Sequence, residues 1–213
     1  MDNQGLFIVF ESAPKGGKTT LSTELAKRLR HESANKQILW GRSALTNSTF
    51  ASEVKSRDIS DLGYSTAFYW ADLIFYTHDV IAPNVKNGAI VVHDRYDLSI
   101  VSYREAYGLH HDELLLKEYL KREMILNPDL TVFLDPPIQV MLARIAHATE
   151  SSSVDRAFLN APVGLDYIQK RMRHYLARFN RRFLTLDTDS LGIDECVTNI
   201  LEAVLAISER RNM

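Results

Sequence analysis

Leu6-Phe7-Ile8-Val9-Phe10-Glu11-Ser12-Ala13-Pro14-Lys15-Gly16-Gly17-Lys18-Thr19-Thr20 is the stretch from which the fold can be read. Leu6 to Phe10 form a continuous apolar run, branched and aromatic, which predicts a strand buried on both faces. A glycine-bearing turn follows, and from Thr19 to His31 the apolar residues Leu21, Leu25, Ala26 and Leu29 recur at helical spacing. Strand, Gly-rich turn, helix is the order that a phosphate-binding loop requires. Ser12 to Thr19 has the spacing of that loop, with Ser12 where the first glycine usually stands. Gly16 and Gly17 let backbone N–H groups turn inward around a phosphate, and the helix start adds its positive end. Lys18 supplies a mobile positive charge, and the Thr19 hydroxyl can ligate Mg2+. Ser12 needs a structural explanation, because the first glycine often takes a backbone conformation that a Cβ tolerates poorly.

The alternation continues along the chain. Strands are predicted at Gln37-Trp40, Ala89-His93, Leu130-Leu134 and Phe183-Leu186, with helical patterns near Ser65-Lys86, Ile138-His147, Gly164-Phe179 and Ile193-Glu209. Five short apolar strands among helices predict the α/β class: a three-layer sandwich in which a five-stranded parallel sheet is flanked by helices on both faces.

Nothing in the composition divides the chain. At 213 residues it fits a single domain spanning 1–213, able to bury a sufficient core without disulfide or metal. The 46% hydrophobic and 24% charged fractions are those of a globular protein. A net charge of −2 leaves no electrostatic footprint for a nucleic acid polymer or an anionic membrane, so a phosphate partner must be held locally. Cys196 is the only cysteine, which excludes an intrachain disulfide and is expected to be a buried small residue in a reducing cytoplasm. No run reaches the length of a membrane span, and Met1 to Gly5 lacks the pattern of a leader, so a soluble, unprocessed protein is expected.

Three further places carry chemistry. Ile90-Val91-Val92-His93-Asp94-Arg95-Tyr96 is a strand ending in an acid and a base. Ligands of open parallel sheets bind beyond the carboxyl ends of the strands, so Asp94 and Arg95 are expected to face the same crevice as the loop. There a carboxylate can hold a metal or orient an acceptor, and a guanidinium can grip phosphate bidentately; a structural ion pair at a strand end is the alternative. Arg42, just past Gln37-Trp40, is a third candidate at a strand's carboxyl end, or else a solvated surface arginine. Ala148-Thr149-Glu150-Ser151-Ser152-Ser153, with Arg144 before it and Arg156 after it, reads either as a surface loop or as a lid over phosphates, at about 144–160. Phe68 to Tyr76 holds five aromatics in nine residues, most of them expected in the core, with one exposed ring sufficient for a base to stack on.

Taken together these motifs resemble, in order and over nearly the whole length, the thymidylate kinase family of phosphate-loop nucleoside monophosphate kinases. Phe10-Glu11 before the loop, Ala71-Asp72 through Ile81-Ala82-Pro83 to Asp94-Arg95-Tyr96, Ser99 and Tyr103, Pro128-Asp129-Leu130, Leu134-Asp135 and Leu186-Asp187 carry the likeness. The resemblance implies transfer of the γ-phosphate of ATP, with Mg2+, to a nucleotide-like acceptor by a homodimer. By the same resemblance Ser12, Gly16, Gly17, Lys18, Thr19 and Thr20 bind ATP, while Thr19 and Asp94 serve the metal. Arg95 and Arg42 hold the acceptor phosphate, Tyr69 stacks on the acceptor ring, and Tyr103 and Arg104 lie on the acceptor side. Lys15, Arg144 and Arg156 neutralise charge during transfer. Three positions depart from the family pattern: Pro14 replaces an aspartate, Leu73 an arginine that reads the thymine edge, and Arg104 a common glutamine. All three fall on acceptor recognition. An acceptor that is a nucleoside or other hydroxyl compound stays open, with Glu11 or Asp94 as its base. So does a non-catalytic nucleotide-binding protein.

Overall fold

The computed structural model describes residues 5–33, 36–42, 62–106, 108, 112–148, 159 and 163–211. Five strands, β1 (Leu6–Glu11), β2 (Ile38–Arg42), β3 (Ile90–Asp94), β4 (Leu130–Leu134) and β5 (Phe183–Leu186), form one sheet in the order β2-β3-β1-β4-β5. Every pairing is parallel, as the buried apolar runs predict. The helices are α1 (Lys18–Glu32), α2 (Leu62–Tyr76), α3 (Ala82–Lys86), α4 (Asp97–Ala106), α5 (Asp112–Lys121), α6 (Ile138–His147), α7 (Val163–Arg178) and α8 (Ile193–Arg211).

Alternation along β1 builds two cores. Phe7 and Val9 point to a cluster that includes Trp70 of α2, Val101 of α4 and Met172 of α7. Leu6, Ile8 and Phe10 point the other way, to Leu25 of α1 and Val197 and Ile200 of α8. Each side of the sheet is therefore closed by helices, and the central strand is buried throughout.

The helix expected over Ser65-Lys86 is present but not uniform. A π-helical turn at Thr77–Ile81 separates α2 from α3, and Pro83, which has no N–H to return to the preceding turn, follows directly. Helices α4 and α5 fall where the periodicity predicts none. The buried positions of α4 include Asp97, Ser99, Ser102 and Glu105, so polar side chains inside the protein mask its helical period. Strands β2 and β3 each run slightly further than predicted, which makes Arg42 and Asp94 their final residues and pairs them in register.

Candidate active site

Phe10 of β1, Arg42 of β2 and Asp94 of β3 share one level at the carboxyl edge of the sheet. The turn from Ser12 to Gly17 rises from this edge and delivers the chain into α1. Lys15 and Gly17 have φ of 58° and 100°, so only they take left-handed conformations within the turn. Ser12 does not, which resolves the expected conflict at the first position: its Cβ meets no backbone strain. The Ser12 side chain is fully buried and fills the room beside Gly16. A Cβ on Gly16 would lie 1.7 Å from Ser12 Oγ, so glycine is required at 16 because serine stands at 12.

Lys18 reaches back across the turn. Its ammonium donates to the carbonyls of Ser12 at 2.9 Å and Ala13 at 2.8 Å, poised over the mouth of the loop. Thr19 Oγ1 donates to Asp94 Oδ2 at 2.5 Å, and Arg42 Nε stands 3.6 Å from the same oxygen. Asp94 is completely buried, and its Oδ1 has no hydrogen-bond partner among the described residues. A buried carboxylate oxygen without a partner is costly, and a hard cation held by Asp94 and Thr19 would satisfy it. These residues therefore fit Mg2+, which takes few protein ligands where substrate phosphates complete its shell.

A cavity of about 460 Å3 opens here, lined by Lys15, Gly17, Lys18, Thr19 and Thr20 from the loop and α1, and by Arg42, Arg95 and Arg144 around it. Arg144 comes from α6 and is held in place: Nη2 donates to the Thr188 carbonyl at 2.7 Å and Nη1 to Thr188 Oγ1 at 3.0 Å. Thr188 Oγ1 in turn donates to the Gly16 carbonyl at 3.1 Å. Thr188, Leu191 and Ile193, in the segment that leads from β5 into α8, help complete the wall. The sequence reading missed these three, since nothing in their residue types marks them; only the closure of β5 beside β4 brings them to the loop. Cys196 is buried as expected, also borders the cavity, and has its thiol pKa raised by burial.

Arg95 has φ of 71°, a left-handed conformation that is strained for a residue with a Cβ. Its Nη1 donates to Tyr103 OH at 3.0 Å, with the guanidinium 5.2 Å from that ring's centre. Tyr69 on α2 is 36% exposed, and its phenol pKa is raised by burial against the opposing charge of Arg95. Tyr69 and Tyr103 thus both lie close to Arg95. Arg104 instead pairs with Asp112 at the start of α5, away from the cavity lining. Leu73, where the family has an arginine, is a buried core residue. Arg156, with residues 149–158 of the expected lid, lies outside the described residues.

A parallel α/β sheet whose central strand leads through a phosphate loop into a helix, with three arginines converging on the loop, defines the class of phosphate-loop nucleotide-binding proteins. A thymidylate kinase family profile matches residues 10–200. Over 97% of this chain, a probable thymidylate kinase of Archaeoglobus fulgidus is 23% identical and is matched over its whole length. Thymidylate kinases of Xanthomonas euvesicatoria and Xanthomonas oryzae are 33% and 35% identical over 66% of this chain, which spans about three fifths of their length. The chain belongs to the thymidylate kinase family, and it is an ATP-dependent nucleoside monophosphate kinase. Among the described residues no helix is long and apolar enough to cross a membrane.

Proposed function

We propose that this chain moves the γ-phosphate of ATP onto a nucleoside monophosphate of the dTMP type, with the residues at the carboxyl edge of the sheet in the roles that the resemblance assigns. One observation carries the reading: Lys18, Thr19, Arg42, Arg95 and Arg144 border a single cavity, with buried Asp94 bound to Thr19. The loop N–H groups and Lys18 hold the donor phosphates, and Thr19 and Asp94 would hold Mg2+, which would supply charge neutralisation there. Arg95 and Arg42 hold the acceptor phosphate in line, while Tyr69 and Tyr103 take its sugar and base. An acceptor phosphate oxygen attacks the γ-phosphorus as the bond from γ-phosphorus to the β-γ bridging oxygen breaks, releasing ADP. Arg144 and Lys15 stabilise the charge that spreads over the transferring group. No general base is needed, because the acceptor phosphate is already anionic near neutral pH.

Pro14 and Leu73 remove two polar groups from the acceptor side, so the reading expects an acceptor range broader than dTMP alone. A cytoplasmic homodimer belongs to the same reading, supported by Phe75 on α2, 57% exposed, and by the single buried cysteine. The test is ADP release from ATP and Mg2+ across a panel of nucleoside monophosphates and nucleosides, with Lys18→Ala as the blank. Turnover of a monophosphate supports the proposal, and turnover of nucleosides alone overturns it. Sedimentation at several concentrations tests the dimer.

A further inference from the structure

Arg95, like Lys15, holds a left-handed backbone at the site, and what fixes Arg95 there lies outside the cavity. All its backbone polar groups and the next N–H are fixed. Arg95 N donates to the Phe10 carbonyl at 3.0 Å, His93 Nδ1 donates to the Arg95 carbonyl at 2.6 Å, and Tyr96 N donates to Glu11 Oε1 at 2.9 Å. Glu11 Oε1 also accepts Ser99 N at 3.1 Å, and Glu11 Oε2 meets the Ser99 hydroxyl. Glu11 thereby ties the end of the central strand to the first turn of α4. Both Glu11 and His93 are fully buried, and neither borders the cavity. A left-handed conformation at a residue with a Cβ persists only where its surroundings over-determine it.

We propose that Glu11 and His93 are positioning residues that lock the left-handed backbone of Arg95 and so aim its guanidinium at the acceptor phosphate. The inference rests on the kinase reading for what Arg95 grips, but the lock itself is a property of the backbone. It also decides what Glu11 is for. Both carboxylate oxygens are engaged inside the protein, which suits a clamp and leaves none for proton abstraction from a bound acceptor. Burial, with Asp97 beside it and opposed by the Ser99 hydrogen bonds and Arg95, raises the Glu11 carboxyl to about 7. Titration does not open the clamp, because Oε1 accepts both N–H groups in either state and the Ser99 contact can run in either direction. Burial lowers His93 to about 4, so it is neutral, with its proton on Nδ1 where the Arg95 carbonyl accepts it.

The clamp and the general-base roles of Glu11 part company in the amide. Glu11→Gln keeps an oxygen for the two N–H groups and gives the Ser99 hydroxyl a donor; Glu11→Met keeps neither. With dTMP as the probe acceptor, Glu11→Met raises the acceptor KM at least tenfold and leaves the ATP KM within about twofold. Glu11→Gln recovers turnover to within about threefold of the parent. His93→Phe, which removes only the donor to Arg95, raises the acceptor KM as well. Amide hydrogen exchange gives a readout without substrate: Tyr96 and Ser99 exchange at least tenfold faster in Glu11→Met and at the parent rate in Glu11→Gln, with α1 unchanged. If Glu11→Met does not fold, Glu11→Gln alone decides. A loss of hundredfold or more in Glu11→Gln turnover, or unprotected Tyr96 and Ser99 amides in the parent, overturns the proposal. A parent protein inactive on every monophosphate but protected at these amides overturns the kinase reading and leaves the clamp standing.

Discussion

Asp97 and Arg181 form an ion pair in which neither side chain is exposed at all. Arg181 Nη1 donates to Asp97 Oδ1 at 2.8 Å, Arg181 Nη2 meets Asp97 Oδ2, and Leu98 N donates to Oδ1 at 2.9 Å. Arg181 Nε has no hydrogen-bond partner among the described residues, so the guanidinium is satisfied mainly by this one carboxylate. Asp97→Asn keeps the shape but removes the charge, leaving a cation buried without its counter-ion. Breaking such a pair from one side costs about 3–5 kcal/mol. That is a large share of the ~5–15 kcal/mol by which a domain is stable. At roughly 2–4 °C per kcal/mol for a chain of this size, Tm should fall by roughly 6–20 °C. Replacing both partners by apolar residues, as in Asp97→Leu with Arg181→Met, should recover most of the loss, because desolvation of both charges disappears together. Urea unfolding of the two single variants and the double variant gives the cycle. A loss of less than about 1 kcal/mol for Asp97→Asn would refute the argument, since it would mean that water or another group reaches the guanidinium.

Further outcomes follow from the site. Gly16→Ala should destabilise by about 1–3 kcal/mol, as overpacking does, and Ser12→Gly should relieve it by removing the atom 1.7 Å from the new Cβ; thermal unfolding of both variants checks this. Glu11 has its pKa raised from 4.5 to about 7, so the folded state binds its proton more tightly than the unfolded state does. Its contribution to stability is thus fully present below pH 4.5 and is lost as pH rises through 7, a change of roughly 3 kcal/mol. Glu11→Gln should flatten that part of the stability-pH curve measured by urea unfolding. Arg144→Met should lower kcat by about 10²–10³-fold with ATP affinity reduced far less, which single-turnover kinetics can separate.

Much of this was legible in the sequence, and the reasons are local. The run Leu6-Phe10 and the glycines after it declare a buried strand and a turn, because apolar continuity and Gly spacing are properties of neighbouring residues. The rule that ligands meet strand ends singles out Asp94, Arg95 and Arg42, and the register of β2 with β3 brings Arg42 and Asp94 side by side. What stayed hidden depends on distant parts of the chain. Helix α4 was missed because Asp97, Ser99, Ser102 and Glu105 are polar yet buried, the partners of Asp97, Ser99 and Glu105 being Arg181, Glu11 and Arg171 from elsewhere in the sequence. Thr188 carries no signal of its own and gains a role only where it joins Gly16 to Arg144. Arg104 pairs with Asp112, a contact set by the placement of α5.

The central claim is phosphoryl transfer from the loop to an acceptor phosphate, and the most direct measurement is coupled ADP release with ATP, Mg2+ and dTMP. Steady turnover by the parent protein is expected, with Lys18→Ala reduced at least about 10²–10³-fold because the ammonium that stabilises the transferring phosphate is gone. ATP binding without ADP release, for dTMP and for every other nucleoside monophosphate offered, would contradict it.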